Sequence, residues 1–112
     1  MSKLAEAIET YMDQVNSLGL GLSEELITAV AKGLGPSIYN ADASKVSASD
    51  PEEVARVKKN FLIDKLGLAD SPALDAAIDE VMEKLGSSNR NKYRAVVYAL
   101  LAVKFGKESL YL

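Results

Sequence analysis

The chain contains neither cysteine nor histidine. Without thiols there is no disulfide framework, no thiolate to ligate zinc and no sulfur nucleophile, so cohesion has to come from packing. Without imidazole, the side chain most used as a general base near neutral pH and as a transition-metal ligand is missing, and Ser-His-Asp and Cys-His arrangements are excluded. Glycine and proline together make up only 10 of 112 residues, which argues against a disordered or linker-like chain. The longest apolar run, Ala95 to Val103, spans nine residues against the roughly 20 that a membrane helix needs. The opening MSKLAEAIETYMDQ sets acids among its apolar residues and lacks the unbroken apolar stretch of a secretory signal. A cytoplasmic protein with no membrane contact is the expectation.

What is present suits one packed domain. Hydrophobic residues amount to 48% and charged residues to 26%, and two separate cores in so short a chain would each be smaller than usually survives unstapled. Residues 1–112 are therefore read as a single helical domain. The net charge is −3, which gives little reason to expect strong non-specific binding to a polyanion. The charge is uneven along the chain: residues 1–56 hold 4 basic and 9 acidic side chains, residues 57–112 hold 9 and 7.

Apolar residues recur at helical spacing in five stretches, and none shows the period-2 alternation of a strand. Leu4, Ile8, Tyr11, Met12 and Val15 mark the first helix, stopped at Leu18-Gly19-Leu20-Gly21. Ser23 is placed to cap the second, with Leu26, Ile27, Val30 and Leu34 inward and Gly33, Gly35 and Pro36 ending it. Asp50-Pro51-Glu52-Glu53 predicts the third start, with an acid or Ser49 at the cap and Glu53 in capping-box position, and the helix runs to about Leu66. Asp70-Ser71-Pro72 repeats the device for a fourth helix ending at Gly86. The fifth is expected to open at Ser88 or Asn89, and its apolar positions from Ala95 to Val103 occur all round the cylinder, as in a helix surrounded by others. The fold class is all-α: a compact array of about five helices with the last one central and no β-sheet.

Chemistry has few places to hide. The connection at residues 35–50 is the least regular segment, anchored only by Ile38, Tyr39 and Val46, with one short helical turn expected. Its length makes it a candidate site, represented by Ser37, Tyr39, Asn40 and Asp42. Asn40-x-Asp42-x-Ser44 resembles the opening of a calcium loop, but Lys45 stands where glycine belongs and Pro51 where glutamate belongs, so local turn bonding is the better reading. Gly33-Leu34-Gly35-Pro36-Ser37 lacks the Walker lysine and reads as a helix stop. Arg90, Lys92 and Arg94 crowd the start of the fifth helix, where the dipole disfavours cations. The plain explanation is pairing with Asp79, Glu80 and Glu83 of the fourth helix, the sharper one contact with an acidic partner or a nucleic-acid backbone. Tyr11, Tyr39, Tyr93 and Tyr98 read as core residues with rim hydroxyls. Leu110, Tyr111 and Leu112 are too apolar for a frayed end and are expected to dock on the core or meet a second subunit.

The phrases GPSIYNADAS from Gly35, NFLIDKLGL from Asn60, SNRNKYRAVVYALLA from Ser88 and FGKESLY from Phe105 resemble, in matching order, domain-of-unknown-function family 2853. The resemblance implies a small stand-alone helical bacterial protein. It implies no activity and transfers no site residue.

The resulting expectation is a non-enzymatic module that needs no cofactor or metal and works through an unknown protein partner or as a homo-oligomer. Its candidate surface comprises Ser37, Tyr39, Asn40, Asp42, Arg90, Lys92, Arg94, Leu110 and Tyr111. A nucleic-acid or anion-binding domain using the basic start of the last helix is the alternative. An enzyme built on Ser37, Tyr39, Asp42 and Arg94 ranks below both.

Overall fold

A computed structural model describes residues 3–39, 45–46, 50–86, 89 and 92–111. Five helices follow in chain order: α1 Lys3–Leu18, α2 Glu24–Leu34, α3 Pro51–Arg56, α4 Pro72–Leu85 and α5 Arg94–Lys104. Short 3-10 turns lie at Gly35–Tyr39 and Glu108–Leu110, and α3 continues directly into a π-helix, Val57–Ile63. Among the described residues there is no strand; Lys45 and Tyr93 form one isolated antiparallel bridge. The fold is all-α.

The starts of α2 and α3 follow from local chemistry. The Ser23 hydroxyl accepts the Leu26 N–H at 3.1 Å, and the Asp50 carboxylate accepts the Glu52 N–H at 3.0 Å with Pro51 in the first turn. Each cap satisfies a donor that a helix leaves open at its N-terminus. Gly35 ends α2 at φ 68°, a left-handed value that a side chain resists, with its N–H donated to the Lys32 carbonyl. Gly35 thus acts as the expected helix stop, whereas Gly33 lies inside α2, and the 3-10 turn is the short helical turn anticipated there.

Two starts differ from expectation. Ser71 holds the N-cap position of α4 without a side-chain cap bond, while Asp70 reaches across to Lys58 at 2.9 Å. Asn89 does not open α5; its side-chain amide donates to the Leu85 carbonyl at 2.9 Å and so closes α4. α5 begins only at Arg94, after Tyr93 has been drawn into the bridge with Lys45. Ser88 lies outside the described residues.

The π-helix keeps one stripe facing inward. Its wider bonds, such as Asp64 N–H to the Lys59 carbonyl at 3.0 Å, bring Val57, Phe61 and Leu62 together on the buried side, and Leu66 follows just beyond. Phe61 then stacks on Tyr98 of α5, ring centroids 4.0 Å apart. Lys58 spans Asp70 and Asp75 at 2.9 and 3.0 Å, tying this segment to α4, and its hydrogen bonds to both acids raise its pKa.

α5 is the central element. Every residue from Ala95 to Ala102 is buried, and α1, α2 and α4 pack around it. The buried side chains form one cluster, and the radius of gyration is 12.9 Å, close to the ~13 Å of a compact chain this long. Removing a side chain from the rod should be costly while trimming its rim should not. Leu101→Ala is expected to lower unfolding free energy by about 2–5 kcal/mol in a urea titration, and Val103→Ala, on the exposed end, by less than about 0.5 kcal/mol.

Candidate interaction surface

The 35–50 connection meets the start of α5 through Lys45 and Val46. Val46 is buried and donates its N–H to the Lys92 carbonyl at 2.8 Å. Beside it the Tyr93 ring lies 5.1 Å from that of buried Tyr11, and the Lys45 ammonium stands 5.9 Å from the same ring. Burial first, then the neighbouring Tyr93 and Tyr39 hydroxyls, raise the pKa of Tyr11.

Arg94 occupies the first turn of α5, where the dipole disfavours a cation by about a few tenths of a kcal/mol. α3 supplies the compensation. The guanidinium pairs with the Glu53 carboxylate, donates to the Tyr98 hydroxyl at 3.1 Å and lies 3.5 Å from the Lys45 carbonyl. Both charged side chains are only 16% exposed. Burial works against the charge, but the bonds to Tyr98 and Glu53 outweigh it and raise the pKa of Arg94.

Of the α4 acids expected to neutralise this region, Glu80 acts elsewhere. Glu80 pairs with Lys104 at 2.6 Å, and that bond holds its carboxyl below the usual range. Lys92 is 5% exposed, its ammonium donated to the Asn89 carbonyl. Lys92 and Arg94 therefore make internal contacts rather than an outward basic strip. Tyr39 is 47% exposed, unlike its expected role as an anchor, whereas Ile38 and Val46 are buried. The Ser37 backbone belongs to the 3-10 turn. Asn40, Asp42 and Arg90 lie outside the described residues.

Glu53 is the residue that sequence reasoning placed wrongly. Its position fits a capping box, yet the Asp50 side chain caps α3 and the Glu53 carboxylate turns to α5. The available signal was Arg94 itself, a cation leading an apolar helix and in need of an acid; nothing local named which one.

Beyond α5 the chain divides its apolar residues. Tyr111 docks: its ring reaches within 3.6 Å of the place a Cβ on Gly33 would occupy and lies 5.2 Å from the Lys65 ammonium. Burial, then the neighbouring Tyr98, pushes its hydroxyl up to about 12. Leu110 is 51% exposed, and Leu112 lies outside the described residues. On another face Leu20, Leu22, Val81, Leu100 and Val103 line a cleft of about 180 Å³ with Glu80, Lys84 and Lys104 among its charged residues. Val103 is 46% exposed there. Among the described residues no group of three or more carboxylates is placed to hold a metal ion.

Two outcomes follow. Arg94→Met should cost about 2–3 kcal/mol, because it leaves the shielded Glu53 carboxylate with only the exposed Arg56 guanidinium, 3.8 Å away. The Arg94→Met/Glu53→Met pair should recover much of that loss in a double-mutant cycle by chemical denaturation. For Tyr111, a folded-state pKa near 12 against 10.0 for the free side chain means its contribution to stability is full below pH 10 and lost as pH rises through about 12. The near-ultraviolet phenolate signal that disappears in Tyr111→Phe should therefore titrate late.

No helix among the described residues is long and apolar enough to cross a membrane. No curated protein matches the chain. The family model described as "Protein of unknown function (DUF2853)" matches residues 10–109. With nearly its whole length inside that match and an all-α fold in place, the chain belongs to the DUF2853 family.

Proposed function

We propose that the protein is a non-enzymatic helical module that acts through protein contacts, a second copy of itself among its partners. The observation that carries this reading is the cleft that sets Leu20, Leu22, Val81, Leu100 and half-exposed Val103 beside Glu80, Lys84 and Lys104. Single exposed hydrophobic residues are ordinary, but an exposed apolar side chain continuous with an apolar floor and rimmed by charges has the make-up of a contact site. At about 180 Å³ the cleft is smaller than the roughly 300–1,000 Å³ of small-molecule sites, and its size suits a partner's side chain.

Protein contact is preferred to polyanion binding because Lys92 is buried against Asn89 and Arg94 is paired with Glu53. Static light scattering over a concentration series tests the reading. The weight-average mass of the native chain should rise with concentration, and Val103→Glu should hold it at the monomer value with unchanged helical circular dichroism. A native chain that stays monomeric at the highest attainable concentration, or one that binds duplex DNA with an affinity falling steeply with salt, would overturn it.

A further inference from the structure

The rim of the Val103 cleft carries more positive than negative charge. Glu80, Lys84 and Lys104 border it, and Glu80 is taken by Lys104 at 2.6 Å. Lys84, one turn further along α4, is exposed and forms no ion pair with any described residue. Two cations thus stand against one acid beside an apolar floor, and the contact that would complete the site is an apolar side chain with a carboxylate next to it.

The chain itself presents that combination. Among the described residues the exposed large hydrophobic side chains are Leu18, Tyr39, Val103 and Leu110. Val103 belongs to the cleft, and Tyr39 ends a 3-10 turn that holds no acid. Leu110 follows Glu108 by two positions, but one oxygen of that carboxylate is shielded within the chain. Leu18, at the end of α1, shares a shallow hollow with Asp13, an exposed acid that forms no ion pair with any described residue. Leu18 with Asp13 is therefore the complement, in shape and in sign, of the cleft with Lys84.

We infer that two copies of the chain meet across the end of α4, the Leu18 side chain of each entering the Val103 cleft of the other and its Asp13 carboxylate meeting the other's Lys84. Knob and cleft are neighbours in the fold. Leu18 precedes Leu20, which lines the cleft, by two residues, a span of at most about 7 Å. Asn89, which borders the Leu18 hollow, is bound to the Leu85 carbonyl at 2.9 Å, and Leu85 follows Lys84 directly. A knob beside its own receptor makes the patch self-complementary, so one two-fold axis satisfies both contacts and closes a dimer, whereas a knob on the far side would build an open chain. This inference rests on the self-association reading above and names the side chains that fill the cleft.

Charge exchange provides the test, read as weight-average mass by light scattering over a concentration series. Asp13, Leu18 and Lys84 are all exposed, so their variants should keep the native helical circular dichroism. Lys84→Glu sets acid against acid at both symmetric contacts, and Asp13→Lys sets cation against cation. Each variant alone should need at least about tenfold more protein than the native chain to associate, since both rim pairs turn from attraction to repulsion. Mixed in equal amounts, the two variants regain opposite charges at both contacts, and association should return to near the native concentration range. Leu18→Ser, with every charge kept, should weaken association to a similar degree. Native-like association of any of the three variants, or a mixture no better than its components, overturns the pairing. If the native chain then still associates and Val103→Glu abolishes it, the pairing alone fails. If the native chain remains monomeric, the self-association reading fails with it.

Discussion

Removal of water from all sides of α5 is the constraint on which the rest of the structure depends. Eight consecutive residues, Ala95 to Ala102, are buried, and a helix of this kind cannot exist until neighbours cover every face. Ala95, Ala99 and Ala102 let those neighbours come close, while Val96, Val97, Leu100 and Leu101 provide apolar area, each aliphatic side chain gaining about 1.5–3 kcal/mol on full burial. α1, α2 and α4 each present one apolar stripe to it, and Phe61 is brought against Tyr98 by the π-helical continuation of α3. A helix covered on every side has polar opportunities only at its ends.

Those ends divide the surface between structure and contact. At the N-terminal end, Arg94 is unfavourable for the helix dipole and for its own hydration, and Glu53 answers both. The pair joins α3, the Lys45 segment and α5 at one point, so charges that resemble a binding strip in sequence serve to hold the connection in place. At the C-terminal end the polar tie is the more exposed pair of Lys104 with Glu80 of α4. Val103 opens onto the cleft, and the chain turns at Gly106 into a short segment whose Tyr111 ring docks beside Gly33. Val103 and Leu110 are exposed where packing around the rod stops, and Leu18 and Tyr39 are exposed elsewhere.

The helix content, the class and the caps of α2 and α3 were determined by the sequence alone, because periodicity and capping act over three or four residues and are complete within each segment. The enclosure of α5 was also legible, since apolar residues on every face leave it no stable exposed orientation. Tertiary structure decided what local rules leave open. Glu53 and Arg94 lie 41 residues apart, and their pairing depends on how α3 crosses α5. α5 starts at Arg94 rather than at Ser88 or Asn89, since Lys92 and Tyr93 are bound to Val46 and Lys45. Lys92 became buried for the same reason, and Tyr111 found Gly33 only once α2 and α5 had been set side by side. Partners so distant in sequence are chosen by packing angle and register, and no short-range pattern encodes those.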